Sequence, residues 1–259
     1  MDNISWRSLA VWRRNRDVFL RTWKTNFLPS FLEPVLYLLA MGMGFGVLIS
    51  SDLRFHDMEV GYIEFLAPGL IAISIMYGAF FECTYGSFVR MHYQKTFDAM
   101  IATPLSIEDV IVGEMLWGAT KSFLNASIVL LVISLFGLAS LPGLLLVPLV
   151  AFLGGLMFAS IAMLFTSVTP NMDSFNWPFF LLITPMFLFS GTFFPLYVLP
   201  GWAEAVALTL PLTHVSILVR DLCFNHIDIM DGAALLYISV LTTLTFFSSI
   251  HLMKRRLIK

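Results

Sequence analysis

The sequence has 259 residues, 58% of them hydrophobic and 12% charged, against roughly 45–50% and about 25% in a soluble domain. That excess of apolar side chains excludes a water-soluble globule, and 25 Phe residues supply far more apolar area than a disordered chain carries. Two cysteines, Cys83 and Cys223, exclude a disulfide scaffold, and a formal net charge of −2 names no partner.

The chain opens with a basic stretch, residues 1–26, holding Arg7, Arg13, Arg14, Arg16, Arg21 and Lys24. Leu9, Trp12, Phe19 and Trp23 recur there at roughly helical spacing, which suits a helix lying at the membrane surface. The stretch does not read as a cleavable signal peptide: it is long, rich in Trp and lacks an A-x-A-type site. Six apolar runs follow, near 27–50, 63–88, 111–137, 143–167, 176–197 and 234–253, each long enough for a crossing of about 20 residues. The expected fold class is therefore all-α, a polytopic membrane protein of six transmembrane helices. Charge placement sets the orientation. The six leading cations, Arg90 and Lys95 between runs two and three, and Lys254, Arg255, Arg256 and Lys259 at the end belong in the cytoplasm by the positive-inside rule. Only Arg54 and Arg220 fall outside, and both termini are cytoplasmic.

Within the loop after run two, residues 96–104 make about two helical turns before Pro104 stops them. Ser106-Ile107-Glu108-Asp109 then reads as a capping box that starts the third span. A short helix, a proline and a capped span make a stiff lever for passing force from a cytoplasmic partner. Residues 193–231 are apolar but broken by Pro195, Pro200-Gly201 and Pro211 into pieces too short to cross, which fits short external re-entrant helices. Gly42, Gly44, Gly46, Gly154 and Gly155 permit close helix approach in lipid, or reflect the high glycine usage of membrane helices.

Glu33, Glu82, Glu114 and Lys121 lie within or at the edges of the spans, where an ionised group costs roughly 2.5 kcal/mol or more at the bilayer centre. Their depths allow Lys121 to pair with Glu33 or with Glu82, while Glu114 is near enough to the surface to be hydrated. Enzymatic signatures are missing. None of the five histidines opens an H-E-x-x-H, there is no G-x-S-x-G, and Gly118-Ala119-Thr120-Lys121-Ser122 lacks the glycine before Lys of a phosphate-binding loop. No cofactor is expected in this chain and no nucleic acid, because the basic residues follow membrane topology. The rival reading, an integral-membrane lipid-modifying enzyme, has only the outer-loop cluster Asp52, His56, Asp57 and Glu59 to offer.

Four stretches in order carry a family resemblance: Phe31 to Leu38 (FLEPVLYL); Phe65-Leu66-Ala67-Pro68-Gly69 with Glu82 to Phe88 (ECTYGSF); Phe97 to Leu105 (FDAMIATPL); and Phe189 to Arg220. The chain resembles ABC-2 type transporter permeases, in particular the nodulation lipo-oligosaccharide exporter branch, over nearly its whole length. The resemblance implies a single transmembrane domain over 1–259 that pairs with a second permease subunit, in the simplest form a second copy. It also implies two ATPase subunits, which carry the ATP and Mg, and an amphipathic cargo such as a lipid-linked oligosaccharide, a polysaccharide or a drug, crossing the cytoplasmic (inner) membrane. By the same resemblance residues 1–26 are the interface helix. Residues 96–104, with Phe97, Asp98, Ala99, Met100, Thr103 and Pro104, are the coupling helix. The external hairpin contains Phe194, Pro195, Pro200, Pro211, His214 and Arg220. Candidates to line a cargo path are Phe80, Phe81, Tyr85 and Trp177, and His214 and Arg220 either meet acidic headgroups or hold the hairpin together.

Overall fold

A computed structural model describes residues 4–48, 53–55, 58–139, 141–226 and 228–258. Among these the chain is all-α apart from one antiparallel ribbon, Leu53–Phe55 (β1) against Met58–Val60 (β2). Helix α1 (Ser8–Leu48) bends at Thr22, whose φ of −116° and ψ of 15° leave the helical region, so its basic first part and apolar second part point differently. Next comes a helix continuous from Tyr62 to Tyr93. It begins as α2 (Tyr62–Phe81) and passes into two π-helical turns, Glu82–Gly86 and Val89–Tyr93. A short α3 (Thr96–Ile101) precedes α4 (Ile107–Leu135) and α5 (Leu141–Val168).

The stretch expected as a fifth span is helical from Met172 to Phe189 but changes type along its length. A 3₁₀ turn (Met172–Phe175) leads into α6 (Asn176–Pro178), a π turn (Phe179–Ile183) and α7 (Thr184–Phe189). Beyond it, Gly191 at φ 70° turns the chain. A 3₁₀ turn at Leu196–Val198 is followed by α8 (Gly201–Ala207) and α9 (Pro211–Cys223), which meet at 86°. Pro200 caps α8 and Pro211 starts α9, where a missing N–H costs nothing. The last helix, α10 (Ile229–Leu257), starts from a box in which Asp228 accepts from the Ile229 N–H at 2.6 Å and Asp231 from the Asp228 N–H at 2.9 Å.

Among the described residues four helices are long and apolar enough to cross a membrane, namely Tyr62–Tyr93, α4, Leu145–Val168 of α5 and α10, or five if α8 and α9 form one bent span. Helix α5 is the central post, packed on α10, α4, α2 and α9. Small residues let the helices close up. A Cβ at Gly155 would stand 2.6 Å from Ser122 Cβ, so α4 and α5 approach as only glycine allows. Gly154 lies against Val215, whereas Gly44 faces open space, and the surroundings of Gly42 and Gly46 are outside the described residues.

Both ends of the described chain meet at the start of α4. Ser5 donates its N–H to Asp109 at 2.7 Å, and Lys254 pairs with Glu108 at 2.5 Å. Arg256 donates to the carbonyls of Thr166 and Thr169 at the end of α5. The first helix, the loop before α4, the end of α5 and the last helix thus share one end of the bundle.

Candidate functional site

The short helix α3 stands between two rigid supports at that shared end. Ahead of it, the π turn Val89–Tyr93 stops at Lys95, which takes a left-handed conformation (φ 53°) and turns the chain sharply. Behind it, Ser106 accepts from the Asp109 N–H at 3.0 Å while Asp109 accepts from the Ser106 N–H at 3.3 Å, a reciprocal cap on α4. Arg7 donates to the Pro104 carbonyl at 2.6 Å and pins the intervening turn to the amino-terminal helix. Of the residues expected to form the lever, Asp98, Ala99, Thr103 and Pro104 are exposed, Met100 is half-buried and Phe97 is wholly buried. Phe97, with Met100 packed against the core beside it, therefore anchors the helix, and Asp98, Ala99, Thr103 and Pro104 form its outward face.

Five residues upstream of Lys95 the helix carries Arg90, the centre of a buried charge cluster. Its guanidinium reaches Glu114 Oε2 at 2.6 Å and Glu82 Oε1 at 2.8 Å. Glu114 has no solvent exposure and also accepts from Asn15 at 2.8 Å and from Ser87 at 2.6 Å. Lys121 Nζ lies 3.8 Å from Glu82 Oε2 and 4.8 Å from the centre of the Phe19 ring. Two carboxylates and two cations balance, which is the condition for keeping charges away from water. A space of about 420 Å³ borders the cluster, lined by Arg14, Phe19, Tyr85 and Trp117 among others.

The π turns explain how Arg90 arrives there. In a regular α-helix a residue eight positions after Glu82 stands about 80° round from it, and the wider π turns take up that offset. Sequence reasoning assigned Arg90 to the loop and Glu114 to the hydrated surface, and the structure corrects both. The missed signal was the Glu82–Arg90 spacing, which has meaning only once a π turn is known. Glu82, not Glu33, lies beside Lys121. Charge exchange tests this pairing: Glu82→Lys and Lys121→Glu are each expected to lower the unfolding midpoint in detergent, and the double exchange to recover part of it. Recovery of nothing would sever the pair.

The amino-terminal helix is the third party to the cluster. Trp12 Nε1 donates to Thr120 at 2.8 Å, Phe19 packs edge-on to Trp117 at 5.6 Å, and Asn15 reaches Glu114. This contact depends on Gly113, where a Cβ would come 2.5 Å from Val11 Cβ and 2.7 Å from the Ser8 carbonyl oxygen. Gly113→Val is expected to lift α1 off α4 at a cost of about 1–3 kcal/mol, visible as a lower thermal midpoint. An unchanged midpoint would show that the two helices need not touch.

The residues expected in an external hairpin have other partners. Arg220 is buried, donates to the Gly191 carbonyl at 2.8 Å and lies 3.9 Å over the Phe65 ring, so it ties α9, the turn and α2 together. His214 stacks on Tyr237 at 4.0 Å with its Nε2 3.0 Å from the Leu208 carbonyl oxygen. Pro195 and Pro211 are buried, Phe194 is half-buried and Pro200 exposed. Among the path candidates Phe80 is buried, Tyr85 is half-buried, and Phe81 and Trp177 are exposed. Tyr77, Phe81 and Tyr85 form a ring ladder at 5.5 and 5.9 Å that faces Phe187, Phe179 and Phe175. Of the polar cluster expected in an outer loop, Asp52, His56 and Asp57 lie outside the described residues, and Glu59 pairs in register with Arg54 on the ribbon.

Comparison with known proteins decides the family, for the profile described as "ABC-2 type transporter" matches residues 8–224. The chain belongs to the ABC-2 type transporter family. It is similar to Nodulation protein J of Rhizobium leguminosarum bv. trifolii, with 36% identity over 261 residues, 99% of this chain and 95% of the relative. Nodulation protein J of Sinorhizobium fredii (strain NBRC 101917 / NGR234) is 34% identical over 256 residues, 98% of this chain and 95% of the relative. More distantly, the "Inner membrane transport permease YadH" of Escherichia coli (strain K12) is 24% identical over 218 residues, 83% of this chain and 82% of the relative. An ABC-2 chain with these apolar helices is a membrane protein, and its family implies an ABC ATPase partner in general. The name of the Escherichia coli relative is in keeping with a permease that is not itself an enzyme.

Proposed function

We propose that this chain is the membrane half of an ATP-driven exporter in the cytoplasmic (inner) membrane, passing an amphipathic cargo such as a lipid-linked oligosaccharide outward. Two ATPase subunits, holding ATP and Mg, engage the outward face of α3, and a second copy of the chain completes the path. Six crossings follow if the apolar part of α1 and the segment Met172–Phe189 each span the bilayer beside the four long helices. The shared bundle end, where Ser5 and Lys254 meet α4, is then cytoplasmic together with both termini. Residues 1–26 rest as the interface helix, and α8 and α9 form the external re-entrant hairpin.

The observation that carries this reading is the direct path from α3 to the buried charges. Phe97 locks α3 to the core, and the same rigid helix end holds Arg90 between Glu82 and Glu114. Closure of the ATPase pair moves α3, and through Arg90 the first part of α1, α2 and α4 shift as one unit. Mild-detergent purification from its own cells, followed by mass spectrometry, tests the proposal. A co-purifying nucleotide-binding subunit is expected. Turnover of a lipid by the purified chain with no partner would favour the lipid-modifying enzyme instead.

A further inference from the structure

Glu33 stands apart from the charge cluster and belongs to another site. It faces a recess between α1, α2 and α4 lined with Ser30, Tyr37, Ser74, Tyr77 and Asn125. These polar groups sit along apolar helices, where each costs free energy unless it finds a partner. Some have one: Ser30 Oγ lies 3.2 Å from Asn125 Oδ1, and Ser74 donates to its own helix at Ile71 O, 2.8 Å away. Room for the Asn125 amide is made by Gly78, where a Cβ would stand 3.0 Å from Nδ2. Among the described residues, the Glu33 carboxylate and the Tyr37 and Tyr77 hydroxyls make no hydrogen bond. The inner recess holds about 60 Å³, room for roughly four water-sized groups at about 15 Å³ each. Glu33 and Tyr37 also border a shallow, open apolar groove of about 470 Å³ on one side of α1 alone, with Leu32, Leu36, Ala40 and Met41.

We propose that the recess and its groove seat the head of a neutral saccharide lipid, its hydroxyls donating to Glu33 and meeting Tyr37, Tyr77 and Asn125. The inner volume admits hydroxyl groups but no whole sugar ring, and the apolar groove takes the ring's C–H face and the first carbons of the tail. A single carboxylate among hydroxyls and an amide matches a donor-rich uncharged group. It repels phosphate headgroups, and a cation has little use for the neutral partners. The inference deepens the export reading and rests on it for the role of the site.

The test is native mass spectrometry of the full chain, purified in a polyoxyethylene detergent and placed in nanodiscs of equal parts phosphatidylcholine and diglucosyl diacylglycerol. The wild-type chain is expected to retain the glycolipid about tenfold better than phosphatidylcholine, the worth of one or two hydrogen bonds. Glu33→Gln and Tyr37→Phe should each reduce that preference several-fold, and Tyr37→Phe deletes only a hydroxyl, so folding is not at stake. Equal retention of the two lipids, or unchanged preference in both variants, overturns the proposal. So does stronger retention of a dimethylammonium-propane lipid substituted for the glycolipid. Loss of glycolipid preference while the ATPase still co-purifies sinks this inference alone, whereas a preserved preference with no co-purifying ATPase supports the recess and sinks the export reading alone.

Discussion

Arg90→Leu is expected to be among the most damaging single substitutions outside the apolar core. It strands Glu114, which has no exposed surface, beside Glu82, and removing one partner of a buried ion pair costs about 3–5 kcal/mol. The companion result separates charge from packing. In the double variant Arg90→Leu with Glu114→Leu, Lys121 remains beside Glu82, so no buried charge is left uncompensated and most of the loss should return. Thermal unfolding in detergent reads both. If Arg90→Leu unfolds at the wild-type temperature, the cluster is hydrated and cannot act as a joint.

The second large effect concerns α3, where burial divides the residues into two classes. Asp98→Arg and Ala99→Arg change exposed side chains and should leave the unfolding midpoint alone. Loss of an interface anchor costs about 2 kcal/mol or more, roughly a 30-fold fall in affinity, so the same variants should weaken ATPase association by that order. Phe97→Ala acts differently. It empties a fully buried site at a cost of about 3–5 kcal/mol and should loosen α3 without touching the partner directly. Equal ATPase binding and stimulation across all three variants would remove α3 from the coupling path.

Four of the six apolar runs, the cap at Ser106 and the short helices α8 and α9 were legible because each has a local cause: length, a side chain aimed at a free N–H, or a proline. The family was legible too, from four stretches in order. Helix type was not. Nothing in Glu82 to Tyr93 announces π turns, which arise from tertiary packing, and without them Arg90 reads as a loop cation and Glu114 as a surface acid. Depth along the spans left Lys121 undecided between Glu33 and Glu82, since depth says nothing about which face of each helix meets the other. The break of the fifth run into four short segments of three helix types, and the inward rotation of Phe97 and Arg220, likewise depend on neighbours distant in sequence.

The most direct measurement is cargo movement in sealed vesicles, with a glycolipid as cargo and the chain reconstituted alone or with its co-purified ATPase. Movement is predicted only when ATPase and ATP are both present, and to stop with Asp98→Arg. Accumulation against a gradient by the chain alone would contradict the account.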